Sequence, residues 1–209
     1  MLVASPTERT TAATDLVIAA LALSYAAQLA PQPERRNRTW GAAFLGMGLA
    51  GLLGAIAHGL TVGPRTHAWL WRGIFLSLGL TVGLFAAAAT NDGFGSTAGR
   101  RALPAAILAA LGFYGLSQRL NRGFIVFTAY EAAALIYALA IYTNLARQHQ
   151  LAGADRLAAG IMLSLVAAGV QATSLRLTVA GVPFDNNGLF HLIQIAALPL
   201  IAQGVQASQ

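Results

Sequence analysis

The sequence predicts an all-α fold, a single domain over residues 1–209 in which seven transmembrane helices form one bundle. Three observations lead there. The 209 residues are 56% apolar and only 10% charged, with a mean hydropathy of +0.62, whereas soluble domains carry about 25% charged residues. Seven stretches reach the roughly 20 mostly apolar residues that a bilayer-crossing helix needs. Their connections are short, which makes consecutive helices antiparallel neighbours. This composition excludes a disordered chain and argues against an ordinary soluble enzyme.

The first stretch, residues 10–30, stops at a polar, proline-containing segment. Its leading segment pairs Glu8 with Arg9 and lacks net positive charge, and the one small-residue cleavage position would leave Pro31 after the cut. The span is therefore expected to be retained, not removed as a signal peptide. Residues 39–62 form the second stretch, closed by Gly63-Pro64-Arg65, and residues 68–90 the third, followed by a glycine-rich turn over residues 91–100. Residues 101–117 are the fourth and shortest. The fifth, sixth and seventh cover residues 123–146, 154–179 and 187–205.

All 13 basic residues are arginines and the net charge is +6, but they stand singly between apolar blocks. No basic face for nucleic acid forms from that pattern, and the arginines read as membrane-flanking residues. The absence of cysteine removes disulfides and thiolate metal sites. On the side of the N-terminus lie Arg9, Arg65, Arg119 and Arg122; on the other lie Arg35, Arg36, Arg38, Arg100, Arg101, Arg147 and Arg156. This balance puts the N-terminus outside and the C-terminus in the cytoplasm, in a bacterial cytoplasmic membrane.

A charge at the bilayer centre costs about 2.5–3.5 kcal/mol even on the mildest scale, so intramembrane polar residues are functional candidates. Because odd spans start and even spans end on the N-terminal side, depth can be read directly. Asp15, His58, Arg72, Glu131, Gln171, Arg176, Asn187 and His191 all fall in the half of the membrane nearer that side, and the opposite half holds almost nothing ionisable. Asn187, His191 and Gln194 follow at i, i+4 and i+7 and share one helix face. Gly51, Gly54 and His58 share another, where small residues permit close helix approach. A polar cavity opening toward the N-terminal side accounts for this one-sidedness. The structural alternatives are a frayed first turn for Asp15, snorkelling for Arg72 beside Trp69 and Trp71 and for Arg176, and helix-bridging hydrogen bonds for Glu131 and the histidines.

An intramembrane His late in the second span, with Asn187-x-x-x-His191 opening the last, resembles the alkaline-ceramidase-like (CREST) superfamily. The small bacterial members are the nearest likeness, in which a stretch such as Phe184-Asp185-Asn186-Asn187-Gly188-Leu189-Phe190-His191 is typical. The resemblance covers the whole chain in topology and rests on two short motifs. In catalytic members Ser-x-x-x-His on helix 2 and His-x-x-x-His on helix 7 supply three zinc-binding histidines. His58 and His191 match two of these, while Gly54 stands in place of the Ser and Asn187 in place of the remaining His.

The resemblance and the residues together leave three expectations open. The first is a non-catalytic ligand-binding protein or complex subunit with a degraded metal site, its ligand (a lipid included) held by Gln171, Asn187, Gln194, Arg72 and Arg176. The second is a zinc-dependent hydrolase of a lipid amide or ester. There His58, His191 and Asp15 would hold the metal, and Glu131 or Asp15 would act as general base. The third uses His58 and His191 as ligands to haem or a chlorophyll-type pigment.

Overall fold

The computed structural model describes residues 1–120 and 123–208, so Arg122, counted above, lies outside the described residues. Among the described residues six helices carry the fold: α1 (Pro6–Leu29), α2 (Arg35–Gly59), α3 (Pro64–Arg119), α4 (Gly123–Arg147), α5 (Ala154–Gln171) and α6 (Asn186–Ala207). All six are long and apolar enough to cross a membrane, by length and composition. Large apolar side chains such as Leu49, Leu108, Ile136 and Met162 stay exposed on their outer faces, as a lipid-facing surface requires.

The helix starts follow local chemistry. Ser5 caps α1, its hydroxyl accepting from the Glu8 N–H at 3.4 Å, and Pro6 takes the first turn, where its missing N–H costs nothing. Asp185 caps α6 by accepting from the N–H groups of Asn187 (3.1 Å) and Gly188 (2.9 Å).

Six helices stand where seven were expected. The third and fourth stretches are joined in α3, and the expected turn at residues 91–100 is helical except at Gly95, whose φ of 84° and ψ of 170° only glycine adopts readily. The break folds the two arms against each other. Gly79 packs on Phe113 and Gly83 on the Ala106 carbonyl, so close that an added Cβ would meet the latter at 2.7 Å. A straight helix would hold such pairs tens of ångströms apart.

A second correction concerns the sixth stretch, whose helix stops at Gln171, eight residues before the expected end at Val179. The chain then forms a hairpin, β1 (Leu177–Val179) against β2 (Val182–Phe184), with Val179 opposite Val182. Ala180 and Gly181 both have positive φ (49° and 82°), the geometry of the tight turn that suits a two-residue hairpin. At the N-terminus, Leu2 pairs with Leu60 as an isolated bridge, tying residues 1–3 to the end of α2.

The apolar core occupies the end of the bundle opposite the N-terminus. Trp40 (1% exposed) meets Phe85 edge-on at 4.9 Å, among Phe44, Tyr142, Leu157, Ile161 and Leu198. Two of the charges at that end, Arg36 and Asp92, lie within helices and not in the connections where the sequence puts them. Arg36 grips Asp92 through Nε (2.6 Å) and Nη2 (2.9 Å), and also donates to the Val205 carbonyl and Ser208 Oγ. The Tyr142 hydroxyl donates to Asp92 Oδ2 at 3.0 Å. One buried ion pair thereby joins α2, α3, α4 and α6.

Candidate functional site

Packing is thinner toward the N-terminal end, where the helices surround a cavity of about 110 Å³. Helix direction brings its walls together: the starts of α1, α3, α4 and α6 and the ends of α2 and α5 lie at this end. Asp15, His58, Glu131, Gln171, Asn187, His191 and Gln194 all line it, with Trp71, Phe127 and Phe190 among the apolar walls.

Asp15 is the centre of the arrangement. Its carboxylate lies against Gly54 of α2, where a Cβ would sit 2.7–2.9 Å from the carboxylate atoms. Any residue larger than glycine displaces it, which gives Gly54 a role of its own in the position where the resembled superfamily has Ser. Asp15 Oδ1 stands 3.5 Å from His191 Nε2. Behind the ring, His191 Nδ1 is hydrogen-bonded to Thr14 Oγ1 at 3.0 Å, and Thr14 is itself anchored to carbonyls of α1. The ring is thus held from two sides.

His58 makes a separate pair. Its Nδ1 donates to Glu8 Oε2 at 2.7 Å, and its ring meets Trp71 edge-on at 5.6 Å. Sequence reading left out Glu8, a residue of the first helical turn that stands seven positions before Asp15 and shares its face. That spacing was the signal for it. The two histidines that line the cavity, one on α2 and one on α6, therefore lie against different carboxylates.

On the remaining wall, Gln171 Nε2 donates to Asn187 Oδ1 at 2.8 Å and Asn186 Nδ2 to the Gln171 carbonyl at 2.7 Å, which locks the end of α5 to the start of α6. The Ser164 hydroxyl donates to Gln194 Oε1 at 2.9 Å. Asp15 Oδ2, Glu131 Oε2 and Gln171 Oε1 are buried with no hydrogen-bond partner among the described residues.

Two expected site residues lie elsewhere. Arg72 is exposed and stacks over Trp69, its Cζ 4.7 Å from the ring centroid. A long side chain at a helix start reaches polar surroundings more cheaply than a cavity. Arg176 is exposed in the link between α5 and the hairpin, because α5 ends before it. Neither lines the cavity.

Nor is the expected zinc set assembled. Among the described residues no three His or carboxylate groups come together to hold a metal ion, and His58 is turned to Glu8 instead. An engineered cavity of about 150 Å³ holds one benzene, so a space of about 110 Å³ has no room for a tetrapyrrole between His58 and His191.

The chain belongs to a family of unknown function (DUF6962), which matches residues 10–209. No curated protein and no solved structure matches it.

Proposed function

We propose that this member of the family is a multi-pass membrane protein that holds a small polar ligand in an intramembrane cavity and does no chemistry on it. Counted separately, the two arms of α3 bring the apolar rods to seven, the span number expected from the sequence. The arginine-rich loops on the far side support a cytoplasmic C-terminus in a bacterial inner membrane.

The observation that carries the ligand-binding role is the set of unpartnered atoms at the cavity: Asp15 Oδ2, Glu131 Oε2 and Gln171 Oε1. Each buried polar group left unsatisfied costs about 1–3 kcal/mol. Three around one space favour a site organised for something that enters it. A CREST-like fold draws support from His58 and the Asn187-x-x-x-His191 segment lining the same cavity. Catalysis lacks such support, since Gly54 replaces the Ser and no three-ligand metal cluster forms among the described residues.

The test is thermal unfolding of the detergent-purified protein against a panel of small polar molecules, repeated with Ala50→Leu, which extends a cavity-wall side chain into the space. A molecule that raises the melting temperature of the wild type and not of Ala50→Leu supports the role. The role fails if no molecule acts, or if both proteins respond alike.

A further inference from the structure

The polar inventory of the cavity is lopsided. Among the described residues it is lined by two carboxylates, Asp15 and Glu131, and by neither arginine nor lysine. Both side chains are more than nine-tenths buried, at 6% and 8% exposure, as is Gln171 at 7%. What these three leave unpartnered is in each case an acceptor oxygen. The ring proton of His58 is directed to Glu8 and one of the two Gln171 amide N–H groups to Asn187, so these two donors are engaged within the protein.

We propose that the ligand carries a primary ammonium group on a short apolar body. This rests on the ligand-binding role argued above and names the chemistry of its ligand. An –NH₃⁺ group brings three donors and no acceptor, the complement of three acceptor oxygens. Its charge offsets carboxylates that sit in a low-dielectric interior, where uncompensated charge is costly. The aromatic residues Trp71, Phe127 and Phe190 also line the space, and aromatic rings are of a kind that favours a cation. A neutral alcohol brings a single donor, a quaternary ammonium brings no N–H, and an anion meets two like charges. Size sets the remaining limit: about 110 Å³ is less than the space that holds benzene, so the enclosed part is a few heavy atoms. A free small amine and the aminoethyl head group of a lipid share this chemistry.

The experiment is thermal unfolding and Trp fluorescence of the full chain in detergent with methylammonium, ethanolamine, ethanol, tetramethylammonium and acetate in turn. Methylammonium or ethanolamine is expected to raise the melting temperature by about 3–6 °C at ten times its dissociation constant, and the other three to leave it unchanged. Asp15→Asn and Glu131→Gln should each weaken the response at least tenfold. If either variant does not fold, the comparison of compounds on the unaltered protein decides. Lysophosphatidylethanolamine acting at lower concentration than ethanolamine assigns the amine to a lipid head group; the reverse order assigns it to a free amine. Saturable binding of ethanol or acetate without the amines overturns the ammonium proposal and leaves the ligand-binding role standing. If none of the compounds binds and the wider panel is silent too, both fall.

Discussion

Asp15 Oδ1 lies 3.5 Å from His191 Nε2, across the contact between the first and last helices of the chain. The two residues are 176 positions apart, yet each is placed by a neighbour that has little freedom. Gly54 gives the carboxylate its space, and Thr14 holds the far nitrogen of the ring. The cavity's geometry depends on this contact.

Gly54→Ala is therefore expected to destabilise the protein by about 1–3 kcal/mol, since its Cβ would collide with the Asp15 carboxylate. Gly112→Ala is the control. Nothing lies within 4 Å of its would-be Cβ, and alanine in a helix is favoured over glycine by about 0.5–1 kcal/mol. Melting curves in one detergent should move in opposite directions; a shared direction contradicts the packing described for Asp15.

Glu131→Met is expected to raise the melting temperature. Removing a polar group normally orphans its partner, but Glu131 Oε2 has none among the described residues, so an apolar side chain of similar shape removes a desolvation cost of about 1–3 kcal/mol. A gain of stability joined to a loss of ligand response marks a residue kept for binding. Lower stability would show that Glu131 has a structural partner.

At the other end, Arg36→Ala strands Asp92, whose side chain is 1% exposed, and should cost about 3–5 kcal/mol. Arg36→Met combined with Asp92→Leu should recover most of that. Losses in the double variant equal to the sum of the single ones would mean that the pair is not coupled.

Asn187→His would restore the imidazole found in the resembled superfamily but removes the acceptor for Gln171 Nε2. Gln171 then has both amide atoms unpartnered, and stability should fall by about 1–3 kcal/mol, whereas Asn187→Asp keeps the acceptor and should fall less. The purified wild type should contain no stoichiometric zinc by elemental analysis. One zinc per chain after stringent washing would return the hydrolase to first place.

Much of the site was legible because depth in a span follows from helix direction. That logic groups Asp15, His58, Glu131, Gln171, Asn187, His191 and Gln194 at one level, and the structure brings all seven to one cavity. It does not handle Arg72, whose long side chain chooses its own surroundings. Arg176 escaped it for another reason: residues 172–179 keep Ala172, Leu175, Leu177 and Val179 after the helix has ended at Gln171, and short, partly apolar runs do not distinguish helix from strand. Asp92 falls in the expected glycine-rich turn over residues 91–100. Its burial is decided by Arg36, 56 residues earlier, and no local pattern carries that. The same stretch hid the single break at Gly95, since glycine marks where a chain can bend without saying that nine neighbouring residues stay helical.

The central claim is a polar cavity entered from one face of the membrane, and the chain's lack of cysteine makes it directly measurable. Glu131→Cys places a thiol at the cavity, and Ile136→Cys, on the same helix, places one on the exposed apolar face. In sealed vesicles, a small ammonium-bearing thiosulfonate is added to one side at a time. The prediction is rapid labelling of Glu131→Cys from the N-terminal side alone, with Ile136→Cys unreactive from either side. Equal labelling of the two positions, or labelling of Glu131→Cys from the C-terminal side, would contradict it.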